Sequence, residues 1–435
     1  MLWIALLVLA VAMWFSCGGS GGDDDDDADD DSGDDDDAAD DDDDDDNAPL
    51  FYNGCGIARE AQRDPGTLDE PIDAPYFPFF DRNSLLNAQS NEIDQYDCDE
   101  TEAPGPEVVY HFEIETQGRF AAEIASEQTV GASMYLLDSL DVQDRTAGGC
   151  MEKIDEAYQG TLSPGEYWIV VDATGTPGDY ELFFENIVDD QWSHVEIERG
   201  VTWSRIAVSE LYGSNQSINM IEIEPDAYSD IIRRPYYHGG CQIVSDAAEV
   251  IGAFAGTNAG FYEVPDCSPI DMIKYDGIVY SFNSVVQNTM GWDHGQAPEF
   301  LWLDPDDPWL DKDNALGGHY TLVENNEILV VPEGGVAPRT AVGIRADGTT
   351  VIVTFDGRTE AGEGLTLYEL ATYLRDELDV LTALNLDGGG STTMYVRDCS
   401  VGGVVNYPSD VMWIPGADPD HHHERPNSDG LYLLK

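Results

Sequence analysis

An aspartate followed by three glycines is the segment of this sequence best suited to chemistry. Asp387 precedes Gly388, Gly389, Gly390 and then Ser391. A carboxylate can assist attack on a sugar carbon, and glycines let the backbone approach a ligand closely because they carry no side chain. Their N–H groups can also form a nest for an anion. We expect Asp387 to be catalytic and the following four residues to bind substrate; the alternative is that the glycines serve packing and Ser391 caps a turn.

A second aspartate, Asp356, also lies beside a glycine and is followed by Gly357 and Arg358. We expect Asp356 to be the other catalytic carboxylate, with the roles of nucleophile and acid/base left open between it and Asp387. The alternative is a simple Asp-Gly turn in which Arg358 pairs with a nearby acid.

Arginine is scarce in this chain, so its positions carry information. The sequence has 19 Lys plus Arg against 87 Asp plus Glu, which gives a formal net charge of −68. Arg339, Arg358 and Arg425 nevertheless all lie in polar motifs. Because the planar guanidinium donates paired hydrogen bonds to phosphate, we expect these three arginines to bind a phosphate group. Alternatively, Arg339 and Arg425 brace the fold through buried ion pairs.

Five blocks of sequence, in the same order along the chain, resemble the phosphodiester glycosidase family. They are Thr257-Asn258-Ala259-Gly260-Phe261-Tyr262, Pro338-Arg339-Thr340-Ala341-Val342-Gly343, Asp356-Gly357-Arg358, Asn385-Leu386-Asp387-Gly388-Gly389-Gly390-Ser391-Thr392-Thr393-Met394, and Val404-Val405-Asn406-Tyr407-Pro408-Ser409-Asp410 with Glu424-Arg425-Pro426. The chain departs from the family pattern at Ala259, at Tyr262 and after Pro426.

The resemblance implies a surface hydrolase that cleaves the glycosidic bond of a glycosyl-phosphodiester or a related glycan, without a cofactor or metal. The family's best-known member removes N-acetylglucosamine from such a diester. Further substrate contacts are then expected from Asn258, Gly260, Thr340 and Asn406. Two alternatives stay open: a glycosidase acting on cell-wall polysaccharide without phosphate, and a non-catalytic glycan-binding surface lipoprotein.

The elements that must position these residues predict a mixed α/β (α+β) catalytic domain with a central twisted sheet over residues 190–435. Strands expected at 350–355 and 381–386 run into Asp356 and Asp387. Between them, Thr366 and Glu369 have the spacing of a helix capping box. Ser245 is expected to cap a short helix that ends at Phe254.

Residues 100–187 predict an all-β sandwich ahead of this domain, so the chain is expected to be multidomain. Val108, Tyr110, Phe112 and Ile114 alternate with polar residues, as in a strand with one buried face. Turn motifs and short strands in this region resemble the pre-peptidase C-terminal type of domain, which accompanies secreted enzymes. Residues 48–99 are rich in Pro and Asn and stay an unassigned connecting segment.

The amino terminus predicts export. Residues 1–17 form an apolar signal peptide that ends at a lipoprotein-type cysteine, Cys17. Residues 18–47 are glycine followed by runs of Asp, which cannot form a core and predict a disordered tether. We expect an exported cell-envelope lipoprotein, at the outer membrane or cell surface, that contacts the membrane only through a lipid anchor at Cys17. An ordinary signal peptide is the alternative.

Composition excludes nucleic acid as a partner, because phosphate backbones require a basic surface and this chain is strongly acidic. A carbohydrate or glycosyl-phosphate is the expected partner. Six cysteines besides Cys17 predict disulfides in an exported protein, with the pairing left open; they are Cys55, Cys98, Cys150, Cys241, Cys267 and Cys399. We expect His421-His422-His423 to lie in a solvated loop, since three consecutive residues cannot easily face one metal ion.

Overall fold

The computed structural model describes residues 55, 64–126, 130–264, 266–410, 421 and 423–435. The expected signal peptide, the lipidation of Cys17 and the Asp-rich tether lie outside the described residues. Leu50–Lys435 forms one compact unit, and no described helix has both the length and the apolar character needed to cross a membrane.

Ten strands between residues 72 and 187 form two sheets that face each other. In chain order they are β1 Ile72–Asp73, β2 Phe79–Ser84, β3 Gln95–Tyr96, β4 Glu107–Ile114, β5 Gly118–Ser126, β6 Ala132–Gln143, β7 Thr146–Ile154, β8 Ala157–Leu162, β9 Gly165–Ala173 and β10 Asp179–Ile187. One sheet has the order β1-β4-β9-β6-β7-β3 and the other β2-β10-β5-β8. We refer to this region as the sandwich.

The core of the sandwich comes from side chains that point inward from both sheets. Phe112 of β4 stacks on Phe120 of β5 with ring centroids 5.3 Å apart, and Phe184 of β10 lies 5.0 Å from Phe112. Each fully buried ring contributes about 1.5–3 kcal/mol by its removal from water. Phe79 of β2 joins this core, so part of the segment that the sequence left unassigned supplies strands to the sandwich.

Nineteen strands follow between residues 193 and 434. They are β11 Ser193–Glu198, β12 Val201–Leu211, β13 Ser214–Ile223, β14 Ile232–Gln242, β15 Ala255–Asn258, β16 Tyr262–Glu263, β17 Ser268–Pro269, β18 Ile273–Tyr275, β19 Ile278–Ser281, β20 Gln287–Trp292, β21 Glu299–Leu303, β22 Asn314–Gly317, β23 Thr321–Glu324, β24 Glu327–Ile328, β25 Arg339–Arg345, β26 Thr350–Phe355, β27 Val380–Asn385, β28 Met394–Val396 and β29 Asn427–Leu434.

An eight-stranded sheet is the largest element after the sandwich. Its strand order is β11-β12-β13-β26-β25-β27-β23-β24. The strands β26 and β27 run into Asp356 and Asp387, as the sequence predicts. The described residues contain only two α-helices, α1 Val244–Ile251 and α2 Leu367–Asp376. The protein is therefore mostly β-sheet, and the mixed α/β character expected of this region is not confirmed.

The two helices test the capping predictions in opposite ways. The capping box of Thr366 and Glu369 is confirmed: the Thr366 Oγ1 accepts from the Glu369 N, and the Glu369 carboxylate accepts from the Thr366 N. The prediction that Ser245 caps a helix ending at Phe254 is wrong. Helix α1 begins after Ile243, and Ser245 instead donates its N–H and its hydroxyl to the Glu424 carboxylate. A tertiary partner has replaced the local cap.

Smaller sheets complete the chain. The strands β14-β29-β15-β28 form one, β19-β18-β22-β20-β21 another, and β16 pairs with β17. Three disulfides settle the pairing that the sequence left open: Cys55–Cys399, Cys98–Cys150 and Cys241–Cys267. The cysteines of the first pair are 344 residues apart in sequence. Constraining such a long loop stabilises the fold by restricting the unfolded chain.

Candidate functional site

Asp387 is held where two sheets meet. It follows β27 in the eight-stranded sheet, and its N–H donates to the Ala259 carbonyl just after β15, at 2.8 Å. The preceding residue, Leu386, donates its N–H to the Thr340 carbonyl of β25. The main chain at Asp387 is thereby fixed from both sides, while the side chain stays partly exposed.

Hydrogen bonds of the Asn258 and Thr340 side chains hold the main chain at Asp387 in place. The Asn258 side-chain amide donates to the Asp387 carbonyl at 2.6 Å. Its Oδ1 accepts from the Thr340 hydroxyl at 2.9 Å and from the Thr393 N–H at 3.1 Å. Both Asn258 and Thr340 are fully buried. Their contacts favour positioning of the Asp387 backbone over the direct substrate contact that the sequence analysis expects.

Two further aspartates lie close to Asp387 and form an acidic floor with it. Asp429 of β29 accepts from the Gly260 N–H at 2.9 Å, and Asp271 accepts from the Phe261 N–H at 2.7 Å. A Cβ on Gly260 would lie 3.2 Å from an Asp429 carboxylate oxygen and 3.3 Å from the Asp271 Cβ. The glycine therefore leaves room for both acids, and it supports their positions rather than contacting substrate by itself.

Burial is the main cause that raises the pKa values of Asp387 and Asp429. Burial raises the pKa of Asp387 to about 6, opposed by hydrogen bonds from Ser391 and the Gly388 N–H and by the charge of Arg425, while Asp271 adds to the rise. Burial raises the pKa of Asp429 to about 7, and the charges of Asp271 and Asp387 raise it further. A carboxyl with a pKa near neutrality can exchange protons during a reaction.

His319 extends the floor with a basic group. Its Nδ1 lies 3.2 Å from an Asp271 carboxylate oxygen, and its ring centroid lies 4.7 Å from that of Phe261. The hydrogen bond to Asp271 is the main cause that raises the pKa of His319, against the effect of burial, and the charge of Asp387 adds to it. A protonated His319 would partly compensate the charge of the acids.

Two arginines lie against the triple-glycine turn. Gly389 has a φ of 63°, a left-handed conformation that favours glycine, and a Cβ there would lie 3.1 Å from the Arg358 Nη2. A Cβ on Gly390 would collide with the Arg425 guanidinium and the Asp410 carboxylate. The glycines thus let both guanidinium groups lie directly against the turn.

The charges at this turn are coupled. Burial lowers the pKa of Arg358, and the nearby charge of Arg425 lowers it further, while Asp410 opposes both effects. Arg425 forms an ion pair with Asp410. Two guanidinium groups that share one carboxylate can still donate hydrogen bonds to a bound anion. Arg358 and Arg425 are therefore a cationic pair next to Asp387.

The backbone N–H groups of the turn are mostly used within the protein. Gly388 donates to the Asp387 carboxylate, Gly389 to the Pro338 carbonyl, and Ser391 to the Gly388 carbonyl. Arginine side chains, rather than the backbone nest considered in the sequence analysis, are the stronger anion-binding feature. The Ser391 hydroxyl is buried, hydrogen-bonds Asp387, and lies 3.3 Å from the Tyr262 hydroxyl.

Arg339 does not join the other two arginines. Its Nε donates to the Leu365 carbonyl at 2.8 Å and its Nη2 to the Gly335 carbonyl at 2.6 Å. Burial lowers its pKa. The contacts of Arg339 clamp two loops together, so a structural role is favoured over the phosphate binding that the sequence analysis expects.

Asp356 is also placed behind the site. It is 1% exposed, and its carboxylate accepts from the Ser217 hydroxyl at 2.6 Å, the Asn406 amide at 2.9 Å and the Tyr407 N–H at 3.0 Å. Burial raises its pKa to about 6. Asn406 is buried, and its side-chain amide also donates to the carbonyl of Thr392, which follows the glycine turn. Asp356 and Asn406 brace the turn, and a catalytic role for Asp356 stays a prediction that these contacts do not favour.

His421 corrects the expectation of a solvated histidine loop. It is 2% exposed, stacks on Tyr407 with ring centroids 4.6 Å apart, and hydrogen-bonds the Asn406 carbonyl at 2.8 Å. It also contacts Phe183 of the sandwich. The expectation fails at His421 because aromatic packing against Tyr407 and against Phe183, which is distant in sequence, buries the ring. Within the described residues, no group of three or more His, Cys, Asp or Glu side chains is arranged to hold a metal ion.

Sequence reasoning missed Asp271, His319, Tyr262 and Asp429. Asp429 had a usable signal, because it lies where the chain departs from the family pattern after Pro426. Asp271 sits singly between apolar residues and His319 in a loop, so neither spacing nor composition distinguishes them. Tyr262 contributes its hydroxyl, which donates to the Pro426 carbonyl at 2.9 Å.

Residues 252–434 match the sequence profile of the phosphodiester glycosidase family. The match begins inside the region expected to form the catalytic domain, so the start of that domain at 190 stays a prediction. All five blocks that carried the resemblance in the sequence lie within this match.

The similar proteins include N-acetylglucosamine-1-phosphodiester alpha-N-acetylglucosaminidases. The protein from Mus musculus is 28% identical over 236 residues, covering 47% of this chain and 44% of its own length. The one from Homo sapiens is 41% identical over 202 residues, covering 40% and 38%. This chain thus spans less than half the length of these relatives. The solved catalytic domain of the zebrafish enzyme, described as auto-inhibited by its pro-peptide, is 19% identical with a TM-score of 0.45, covering 57% and 89%.

Proposed function

We propose that the chain is a hydrolase that cleaves the glycosidic bond of a glycosyl-phosphodiester, with Asp387 as its central catalytic carboxylate. The observation that carries the proposal is that Asp387 interacts electrostatically with Asp271 and Asp429 of the acidic floor and with Arg425, which lies against the same glycine turn as Arg358. A sugar–phosphate linkage presents both features, an electrophilic anomeric carbon and an adjacent anion.

The arginines would bind the phosphate of the substrate. Arg425 already holds a carboxylate, that of Asp410, against the glycine turn. A phosphodiester can take part of that hydrogen bonding, because guanidinium groups bind carboxylate and phosphate with the same paired donors. Arg358 would contribute the second cation. The glycines let both guanidinium groups lie against the turn, where the phosphate would meet them.

Asp387 would assist attack at the anomeric carbon. In the overall reaction the bond between that carbon and the phosphate oxygen breaks, a water oxygen bonds to the carbon, and one water proton leaves to solvent or to the released phosphate. A phosphate monoester leaves readily, so the reaction needs less protonation of the leaving group than ordinary glycoside hydrolysis. We therefore propose that Asp387 acts in its ionised form, as nucleophile or as base.

The cellular setting belongs to the same proposal. The three disulfides support folding in an oxidising compartment. With the apolar segment that ends at Cys17 and the acidic tether that follows, we propose an exported cell-envelope lipoprotein. Growth with a radiolabelled fatty acid would label the wild-type chain, whereas Cys17→Ala would abolish the label.

A substrate panel tests the activity. Purified protein is offered sugar-1-phosphodiesters, including the N-acetylglucosamine diester suggested by the relatives, together with neutral aryl glycosides of the same sugars. We expect turnover of at least one phosphodiester and loss of that turnover in Asp387→Asn. Asp379→Asn, an exposed aspartate before the same strand, is the matched control and should retain full activity.

Other outcomes separate the alternatives. Faster turnover of neutral glycosides than of any phosphodiester would indicate a glycosidase that does not require phosphate. Saturable sugar binding without turnover on any substrate would indicate a glycan-binding protein. Full activity of Asp387→Asn, with folding intact, would remove Asp387 from the mechanism.

A further inference from the structure

A second cavity lies between the sandwich and the eight-stranded sheet. Its volume is about 280 Å³, and it is lined by residues from β5 and β8 on one side and β12 and β13 on the other. The glycine turn, Asp387 and the acidic floor do not line it. The cavity is therefore separate from the candidate active site.

The charged side chains that line this cavity are positive, whereas the chain as a whole is strongly acidic. The chain has 87 acidic residues and only 19 basic ones, yet the residues that line the cavity include Arg119 and Arg205 and no acidic side chain. A chance selection of surface from so acidic a chain would include carboxylates. The lining thus favours an anion as the occupant.

Arg205 is buried and has an unused donor. It is 8% exposed, and its guanidinium forms an ion pair with Glu185 of the sandwich. Its Nε is buried without a hydrogen-bond partner among the described residues. Burial lowers the pKa of Arg205 to about 10, and the charge of Arg119 lowers it further, although Tyr407 opposes both effects. A buried donor without a partner costs free energy, which a bound anion would recover.

Arg119 faces the same space from the sandwich. Its Nη2 lies 3.2 Å from an Asp189 carboxylate oxygen at the surface, while its Nε is also buried and without a partner in the described chain. The charge of Arg119 is among the causes that lower the pKa of Arg205, although each arginine also has a carboxylate partner, and an anion between the two guanidinium groups would reduce their repulsion. Both arginines would then donate to the same oxyanion.

The remaining polar lining suits a sugar. Gln159 and Thr161 place an amide and a hydroxyl along the cavity walls, whereas the Ser217 hydroxyl and the Asn219 Oδ1 are already hydrogen-bonded to Asp356 and to the Trp203 Nε1. Such groups bind the hydroxyls of a carbohydrate ring. The volume of about 280 Å³ lies just below the range of about 300–1,000 Å³ for small-molecule sites, so the cavity could hold no more than a single ring.

We propose that this cavity binds a small sugar anion, a monosaccharide that carries one carboxylate or one phosphate held between Arg119 and Arg205. Acidic surface polysaccharides and sugar phosphates are two sources of the same chemistry. Binding here requires no catalysis at Asp387, so the proposal stands apart from the proposed function.

Isothermal titration of the purified full chain tests the proposal. The probes are D-glucuronate, D-glucose 6-phosphate and D-glucose, each also titrated into Asp387→Asn. We expect saturable binding of at least one sugar anion, at least tenfold weaker binding of neutral glucose, and the same affinities in Asp387→Asn. A preference for glucuronate or for glucose 6-phosphate identifies which source the site serves.

Variants locate the bound anion. Arg119→Gln, at a partly exposed arginine, should weaken binding about tenfold or more because a charge-assisted hydrogen bond is lost. Ala361→Phe, which adds bulk to a lining residue, should do the same. Arg145→Gln makes the same charge change at an exposed arginine outside the cavity and should have no effect.

Three results would overturn the proposal. The first is the absence of saturable binding by either sugar anion. The second is equal binding of neutral glucose. The third is loss of binding in Arg425→Gln with full binding in Arg119→Gln, which would place the anion at the glycine turn.

Discussion

Acidic side chains are buried in two regions of this molecule, the sandwich and the floor around Asp387. In the sandwich, Glu107 of β4 and Asp172 of β9 are direct cross-strand neighbours, and both are fully buried. Burial raises the pKa of Asp172 to about 8; the hydrogen bond from the Tyr96 hydroxyl opposes the rise, and the charge of Glu107 adds to it. This shift is larger than the one at Asp387.

The surroundings of the two acids differ more than their pKa values. Asp172 has no exposed surface, whereas Asp387 is partly exposed and lies near the charge of Arg425. A reacting carboxyl must reach its substrate, and an anionic substrate needs a cation beside it. We infer from this difference that a perturbed pKa indicates a functional site only where the side chain is also accessible and lies near a complementary charge.

The sharpest way to break this comparison is to neutralise each acid in turn. Asp387→Asn should lower turnover of a phosphodiester substrate about 100- to 10,000-fold, since the carboxylate that assists attack is lost. Asp172→Asn should leave turnover unchanged, because the amide can still accept from the Tyr96 hydroxyl. Steady-state kinetics of the two folded variants measures both effects; equal losses would mean that the sandwich acid also serves catalysis.

Removal of a cation should have the next largest effect. Arg425→Gln should lower kcat/KM for phosphodiesters about 10- to 100-fold, the usual range for a lost hydrogen bond to a charged group. Neutral glycosides, if turned over at all, should be affected less. Arg375→Gln, at an exposed arginine paired with Asp376, is the matched control. A uniform loss on charged and neutral substrates would contradict phosphate binding by Arg425.

The pH dependence of activity should follow Asp387. If its ionised form is the active one, kcat/KM should fall below pH 6, about tenfold per pH unit once the carboxyl is protonated, because its pKa is raised to about 6. A pH series between 4.5 and 8 with the phosphodiester substrate measures this limb. An activity that is level from pH 5 to 7 would contradict the assignment.

The pH dependence of stability should reveal the sandwich acid. A carboxyl whose folded pKa is raised to about 8 binds a proton in the folded state that the unfolded chain releases near pH 4, so stability falls as the pH rises from about 4 to 8. Asp172→Asn removes this contribution. We expect the variant to gain at least about 1 kcal/mol relative to the wild type between pH 5 and pH 8.

Urea denaturation at the two pH values checks this expectation. The comparison is made as a difference between wild type and variant, because Asp356, Asp387 and Asp429 also have raised pKa values and contribute to the slope in both chains. A variant whose stability declines with pH as steeply as that of the wild type would show that Asp172 does not titrate in this window.

Local patterns were the part of the fold that could be predicted. The strand Thr350–Phe355 and the capping box of Thr366 and Glu369 are as expected, because their causes lie within a few residues of the chain. Ser245 shows the limit of such reasoning. A capping serine was expected there, but Glu424, distant in sequence, provides a stronger hydrogen-bonding partner.

The candidate site was predicted in its centre and missed at its edges. Asp387 and the glycine turn meet Arg358 and Arg425, as expected from their motifs. Arg339 is also an arginine in one of the five sequence blocks, yet its guanidinium donates to two loop carbonyls. The direction of a long side chain depends on contacts that its own motif does not contain.

The sequence by itself determined which groups are available: a carboxylate before three glycines, a few arginines in an acidic chain, and strands that end at Asp356 and Asp387. Only the tertiary structure decided which of them act together. Asp429 and Asp271 lie near Asp387 because the Gly260 N–H donates to Asp429 and the Phe261 N–H donates to Asp271, where two sheets meet. Asp356 does not belong to this group, because its buried carboxylate accepts hydrogen bonds from three donors within the protein. Electrostatic coupling depends on distance in space, which residue order does not fix.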